Sequence, residues 1–180
     1  PGSQTVFLDA NECSYDPFIG GTGLSRYPAQ QPESLVDAMC RWLDISSRHL
    51  TITRGADEAI DCLMRTFCSP GVDNVVICPP TFAMYAQSAM LQGVETRSAP
   101  LDHKFDIDFK VIGQEFDKNT KIIFVCSPNN PTANLMSRDK IIALCKAYAE
   151  QAVVVVDETY VEFSAEHSFV GTLDQFANLV

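Results

Sequence analysis

Residues 121–132 read KIIFVCSPNNPT. The run 122–126 has the length and β-branched content of a strand buried on both faces. Pro128 and Pro131 end it and restrict the backbone around Asn129 and Asn130. Two amide side chains, each both donor and acceptor, are thereby presented at the carboxyl edge of a strand. Open α/β sheets bind ligands at that edge. The same residues also suit a plain turn, since Pro and Asn are ordinary turn formers, so the rest of the chain must decide.

On both sides of this run, the pattern alternates. Leu35, Met39, Trp42 and Leu43 mark one face of a helix, with Pro32 suited to its first turn. LTITR (50–54) predicts a short strand, and Gly55 opens a helix on which Ile60, Leu63, Met64 and Phe67 recur. NVVIC (74–78) is the next strand, TFAMYAQSAMLQ (81–92) a helix closed by Gly93, and VETRSA (94–99) a weaker strand. A helix over 106–117 leads to IIFVC, and another over 137–150 leads to VVVVD. Strands alternating with helices of these lengths predict a layered α/β/α fold with a mainly parallel sheet. Residues 1–31 differ in kind: LDANE, GGTG and RYPAQQP lack apolar periodicity and read as an amino-terminal arm. The domain boundary is therefore expected between 31 and 32.

Four strand ends carry unusual chemistry. After LTITR, GADE places Ala56 and Asp57 at a helix start, where unpaired N–H groups and the positive helix end attract an anion; ordinary helix capping is the other reading. After NVVIC, PPTF brings Phe82 to the edge, as a core ring or as a ring stacked on a flat ligand. After IIFVC stand the two asparagines. After four valines comes Asp157, a carboxylate costly to bury alone, followed by Tyr160. It calls for a cation or strong donor, or for a bond to its own neighbouring backbone. One ligand satisfies all four ends together: a flat, cationic, phosphorylated ring. Its phosphate would meet the N–H groups of Ala56 and Asp57, its face Phe82, its protonated nitrogen Asp157, and its ring oxygen Asn130 and Tyr160. Pyridoxal phosphate has each of these parts.

The 180 residues are 46% hydrophobic, enough for a globular core. A formal charge of −10 argues against nucleic-acid and anionic-membrane partners. No apolar run approaches the ~20 residues of a membrane helix. Seven cysteines form no CxxC pair, which predicts reduced core thiols in a cytoplasmic protein and no metal site.

With those residues in view, the chain resembles the fold-type I pyridoxal-phosphate aminotransferases. The segments are LDANE (8–12), RYP (26–28), RGADEAID (54–61), CPPTFAMY (78–85), CSPNNPT (126–132) and VVVDETYVEF (154–163). LDANE, RYP and GADE narrow the likeness to the family's histidinol-phosphate group. The resemblance implies cofactor contacts by Ala56, Asp57, Phe82, Asn130, Asp157 and Tyr160, a contact from Tyr27 across a homodimer, and a substrate contact from Tyr15. It implies amino-group transfer between a small amino donor and a 2-oxo acid. Three features depart from the pattern: Ala133 replaces a glycine after NNPT, Thr159 replaces an alanine in EAY, and ECS stands where ENP is common. None of the six lysines stands at a carboxyl strand end, so the lysine that holds the cofactor covalently is expected beyond Val180, with the rest of the large domain and a small domain. Residues 32–180 are then a partial cofactor-binding domain, inactive alone. A non-catalytic module of the same fold, binding a phosphorylated ligand or a partner chain, is the alternative, and an aromatic amino-acid aminotransferase the alternative within the class. A nicotinamide-dependent oxidoreductase ranks last, because no GxGxxG follows the first strand.

Overall fold

The computed structural model describes residues 12, 13, 15, 16 and 26–180. The chain divides into two compact units, Pro1–Ile52 and Thr53–Val180.

In the first unit, helix α1 spans Glu33–Leu43. The carbonyl of Pro32 accepts the N–H groups of Leu35 and Val36, both at 2.9 Å, and so starts the helix. Asp44 ends it in the left-handed region, at φ 54°. The apolar stripe that the sequence marks is not buried: Trp42 is 65% exposed and Leu35 44%.

The expected strand over LTITR is absent, since residues 50–53 adopt no regular structure. In place of a neighbouring strand, the Gln31 side-chain amide pairs with the backbone of Ile52. It accepts from the N–H at 2.6 Å and donates to the carbonyl at 3.2 Å. A strand exists only through its ladder to a neighbour; an apolar β-branched pattern does not supply one.

In the second unit, four strands are present among the described residues: β1 (Asn74–Ile77), β2 (Glu95–Ser98), β3 (Thr120–Cys126) and β4 (Val153–Asp157). Their order is β2-β1-β3-β4, and every pairing is parallel. The connections carry α2 (Ala56–Phe67) before β1, α3 (Met84–Gln92) before β2, α4 (Phe109–Glu115) before β3 and α5 (Arg138–Ala147) before β4. This is the layered parallel α/β arrangement expected from the alternation.

Side chains of a strand point alternately to its two faces, which divides the core in two. Val76, Ile123, Val125, Val154 and Val156 pack with Ile112, Ile141 and Leu144 on one side, where Cys78 and Cys145 also lie. Val75, Ile77, Ile122, Phe124 and Val155 pack with Ile60, Met64, Tyr85 and Ala89 on the other, together with Cys68 and Cys126. Phe124 has no exposed surface, and burial of such a side chain contributes about 1.5–3 kcal/mol.

Local caps set the element ends. The helix expected over 106–117 starts only at Phe109, because the Asp108 carboxylate accepts the N–H groups of Lys110 and Val111 at 3.0 and 3.2 Å. β2, the outer strand, carries charge: Arg97 pairs with Glu95 and Asp117 and donates to the Glu115 carbonyl. Charged side chains guard an edge against further pairing. Beside β4, residues Asn178 to Val180 begin a parallel ladder. Val154 donates to Asn178 at 2.8 Å, Val180 to Val154 at 3.0 Å, and Val156 to Val180 at 2.8 Å.

Ala133 has φ +61°, and its N–H donates to the Asn129 carbonyl at 2.7 Å. An L-residue there suffers a Cβ clash of roughly 1–2 kcal/mol. Glycine removes that clash but adds freedom to the unfolded chain. Ala133→Gly is therefore expected to stabilise the protein by about 0.5–1 kcal/mol, read as a raised urea midpoint at unchanged slope.

Candidate active site

At the carboxyl side of the sheet, β1 ends with Ile77 beside Phe124, and β3 and β4 end side by side at Cys126 and Asp157. Above them opens a cavity of about 200 Å³. Arg54, Gly55, Ala56, Asp57, Phe82, Cys126, Asn130, Asp157, Thr159 and Tyr160 line it. All six residues that the sequence nominates from this unit thus share one space.

The α2 start forms one wall. Gly55 is its N-cap, at φ 85° and ψ 178°, and no side chain caps the helix. The first N–H groups of a helix have no partner within it, so the N–H groups of Ala56 and Asp57 are available at the positive end of the helix dipole. Glu58 would oppose an anion there, but it is turned back. Its carboxylate accepts the Arg54 N–H and the Arg54 guanidinium, at 2.5 and 2.9 Å, and those contacts, the backbone one foremost, hold it below the usual carboxylate range.

The Gly55 backbone lies in a region essentially closed to other residues. A Cβ there would meet nothing within 4 Å, so any penalty is conformational. Gly55→Ala is expected to cost about 1–3 kcal/mol, measured by urea unfolding; an unchanged midpoint would show that the loop relaxes.

Asp157 ends β4 and is tied on both oxygens. The Tyr85 hydroxyl donates to Oδ2 at 2.6 Å, and Thr159 donates to Oδ1 from its N–H at 3.0 Å and its hydroxyl at 2.7 Å. The strong donor that a carboxylate after four valines demands is therefore Tyr85, with a local backbone bond beside it. Tyr85 is fully buried, stacks on Phe124 at 4.6 Å and meets Phe82 edge-on at 5.7 Å. Burial foremost, then the negative charge of Asp157, raises the Tyr85 phenol far above its ordinary range. Glu158 points the other way and straps the following segment, accepting from the Ser168 hydroxyl at 2.7 Å and the Phe169 N–H at 2.6 Å. That strap fixes the turn on which Thr159 and Tyr160 reach the cavity.

The two asparagines divide their labour. Asn129 is 2% exposed; its amide donates to the Pro80 carbonyl and to Thr132 at 2.9 and 2.7 Å, and accepts from Thr81 at 3.2 Å. Asn130 faces the cavity, and its side-chain amide has no hydrogen-bond partner among the described residues. Burial raises the neighbouring Cys126 thiol. The peptide bonds before Pro80, Pro128 and Pro131 are cis.

Sequence reasoning missed Tyr85, Thr159, Arg54 and Cys126 as parts of this site. Only Tyr85 left a usable signal: a phenol one turn beyond Phe82, on a buried helix face, must find a partner for its hydroxyl. Tyr15 and Tyr27 lie in the first unit and are 69% and 73% exposed. The Tyr27 N–H donates to Glu12 at 2.7 Å. No lysine lines the cavity among the described residues; Lys140 is engaged by Asp106 at 2.8 Å and Lys121 by the Lys118 carbonyl at 3.3 Å. No cluster suited to a metal ion occurs among the described residues.

Residues 8–179 match the family model for aminotransferase class I and II. The chain belongs to that family. Among class I and II aminotransferases, it is 40% identical over 180 residues to histidinol-phosphate aminotransferase 1 of Haemophilus influenzae (strain 86-028NP), covering 99% of this chain and 51% of that protein. It is 43% identical over 181 residues to the histidinol-phosphate aminotransferase of Aeromonas hydrophila subsp. hydrophila, covering 99% and 51%. This aminotransferase chain thus spans about half the length of the curated relatives it matches. The crystal structure of histidinol-phosphate aminotransferase from Clostridium acetobutylicum superposes with a TM-score of 0.76 at 26% identity, over 87% of this chain and 46% of that one.

Proposed function

We infer that this chain is the amino-terminal cofactor-binding portion of a pyridoxal-phosphate aminotransferase, whose whole protein exchanges an amino group between histidinol phosphate and 2-oxoglutarate. The observation that carries the reading is the cavity itself. It gathers a helix start and an amide that have no hydrogen-bond partner among the described residues, with an aromatic ring, an anchored carboxylate and a phenol. Relatives named for that activity, 40–43% identical across nearly the whole chain, support the choice of substrate.

The donor set fits pyridoxal phosphate. The N–H groups of Ala56 and Asp57 would hold its phosphate, with Glu58 neutralised by Arg54 and turned aside. Phe82 would pack on the ring, held at its angle by Tyr85. Asp157 would keep a proton on the ring nitrogen. Asn130 and Tyr160 would donate to the ring oxygen. When bound, the cofactor supplies an electron sink for the carbon that loses its proton. The chain's own part is to hold the ring flat, charged and correctly turned, because charges fixed in advance need not reorganise during the reaction.

In the same reading, residues 1–31 form an arm, Tyr27 reaches the cofactor phosphate of the second subunit of a homodimer, Tyr15 touches substrate, and the enzyme works in the cytoplasm. The large domain begins at residue 32 and continues beyond Val180. No helix among the described residues is long and apolar enough to cross a membrane.

One observation favours a second reading: among the described residues, no lysine lines the cavity. A module that binds a phosphorylated ligand without catalysis would need none. The test is to purify the protein with its natural termini, treat it with pyridoxal phosphate and borohydride, and locate any fixed cofactor by peptide mass. Turnover is then compared with histidinol phosphate, phenylalanine and aspartate as donors. Fixed cofactor with preference for histidinol phosphate supports the enzyme; phosphate binding with neither fixation nor turnover supports the module; preference for phenylalanine reassigns the substrate.

A further inference from the structure

Asp157 accepts more hydrogen bonds than its place in the chain requires. A carboxylate at a turn commonly accepts a backbone N–H two residues on, as Oδ1 does from Thr159. Two hydroxyls are additional, and they come from separate elements: Thr159 to Oδ1 at 2.7 Å, and Tyr85 of α3 to Oδ2 at 2.6 Å. Each oxygen is held by its own O–H donor, so turning the carboxylate about its last bond breaks at least one strong contact.

An ionised carboxylate offers roughly four acceptor sites. Three are taken, which leaves on the order of one for a ligand. The Tyr85 anchor is itself immobile, with no exposed surface, a stacked ring beneath it in Phe124 and an edge contact to Phe82. The Cys126 thiol of β3 is also set against Asp157, alongside Tyr85, and Asp57 and Tyr160 line the same cavity. Arg54 lines the same cavity but is engaged by Glu58.

Resting on the cofactor reading above, we propose that Tyr85 and Thr159 are positioning residues that aim the remaining acceptor site of Asp157 at the ring nitrogen of the bound cofactor. Neither touches the cofactor's nitrogen; both act through the carboxylate. Tyr85 also packs edge-on against Phe82, at 5.7 Å between ring centroids.

The test uses the protein with its natural termini, loaded with pyridoxal phosphate carrying ¹⁵N at the ring nitrogen. The ¹⁵N chemical shift reports whether that nitrogen is protonated, and fluorescence titration gives the cofactor Kd. Wild type is expected to show the protonated signal. Tyr85→Phe and Thr159→Ala are each expected to move the signal away from the protonated position and to raise Kd about tenfold, the loss of one hydrogen bond to a charged group. Thr159→Ser keeps a hydroxyl and is expected to restore the wild-type signal. A merely structural contact would alter Kd or stability but not the shift.

Unchanged shifts in both variants overturn the proposal. If Tyr85→Phe does not fold, the Thr159 pair decides alone: a shift lost with alanine and regained with serine supports it, and a shift untouched by alanine overturns it. Failure of wild type to bind the cofactor overturns the functional reading, and this inference with it.

Discussion

Asp157→Asn in the full-length protein is expected to lower transamination about 10²–10³-fold without unfolding the chain. The side chains have the same shape, and the amide oxygen can still accept a hydroxyl from one side. What disappears is a fixed negative charge at the end of β4, opposite the place where a cationic ring nitrogen would sit. A preorganised charge in a sheltered site contributes most to a reaction when it is aimed at charge that changes during the step, and Asp157 is aimed by Tyr85 and Thr159. The amide NH₂ would also confront one of those donors, so a small loss of stability accompanies the larger loss of rate. The measurement is kcat and KM with histidinol phosphate, alongside a urea unfolding curve. A fall in kcat far larger than the small shift of the midpoint accounts for places the carboxylate in the chemistry; wild-type kcat would remove it.

The second large effect separates two adjacent residues of one type. Asn129→Ala is expected to cost about 2–4 kcal/mol of stability, because a buried network loses its centre and the Pro80 carbonyl loses a donor. Asn130→Ala is expected to leave stability within about 0.5 kcal/mol, since its amide makes no internal hydrogen bond among the described residues, but to weaken cofactor binding about tenfold. Urea unfolding and cofactor titration of both variants give four numbers in a crossed pattern. Equal effects of the two substitutions on both axes would dissolve the division of labour.

That pair marks the limit of what the sequence conveys. NNP after an apolar strand says that amides stand at a strand end, but which one faces the ligand depends on the Pro79–Pro80–Thr81 turn arriving from 48 and 49 residues away to occupy the other. The alternation of strands and helices was legible because it rests on local periodicity and on Gly and Pro stops. LTITR misled for the opposite reason: its pattern is local, but a strand is a relation, and here the Gln31 amide stands where a neighbour's backbone would. Asp157 could be singled out from the local sequence alone, as a charge after four valines. Its principal partner could not, because Tyr85 lies 72 residues away in the chain. The Ala133 departure was readable as a conformational conflict, and the backbone does take the positive φ there.

The cysteines distributed between the two apolar layers make the molecule its own stopwatch. Cys78 and Cys145 sit in one layer, Cys68 and Cys126 in the other. Burial pushes the Cys78 thiol up to about 12 and those of Cys68 and Cys145 to about 11. Only the thiolate attacks an alkylating reagent, so at neutral pH these positions must wait until their side of the sheet opens. Cys13 and Cys62 are exposed and mark time zero. Alkylation followed by peptide mass mapping would then time the opening of each face in an unmodified chain. Common rates for Cys145 and Cys68 would mean that the sheet and both its coverings come apart as one cooperative unit; a gap between them would show which covering lifts first.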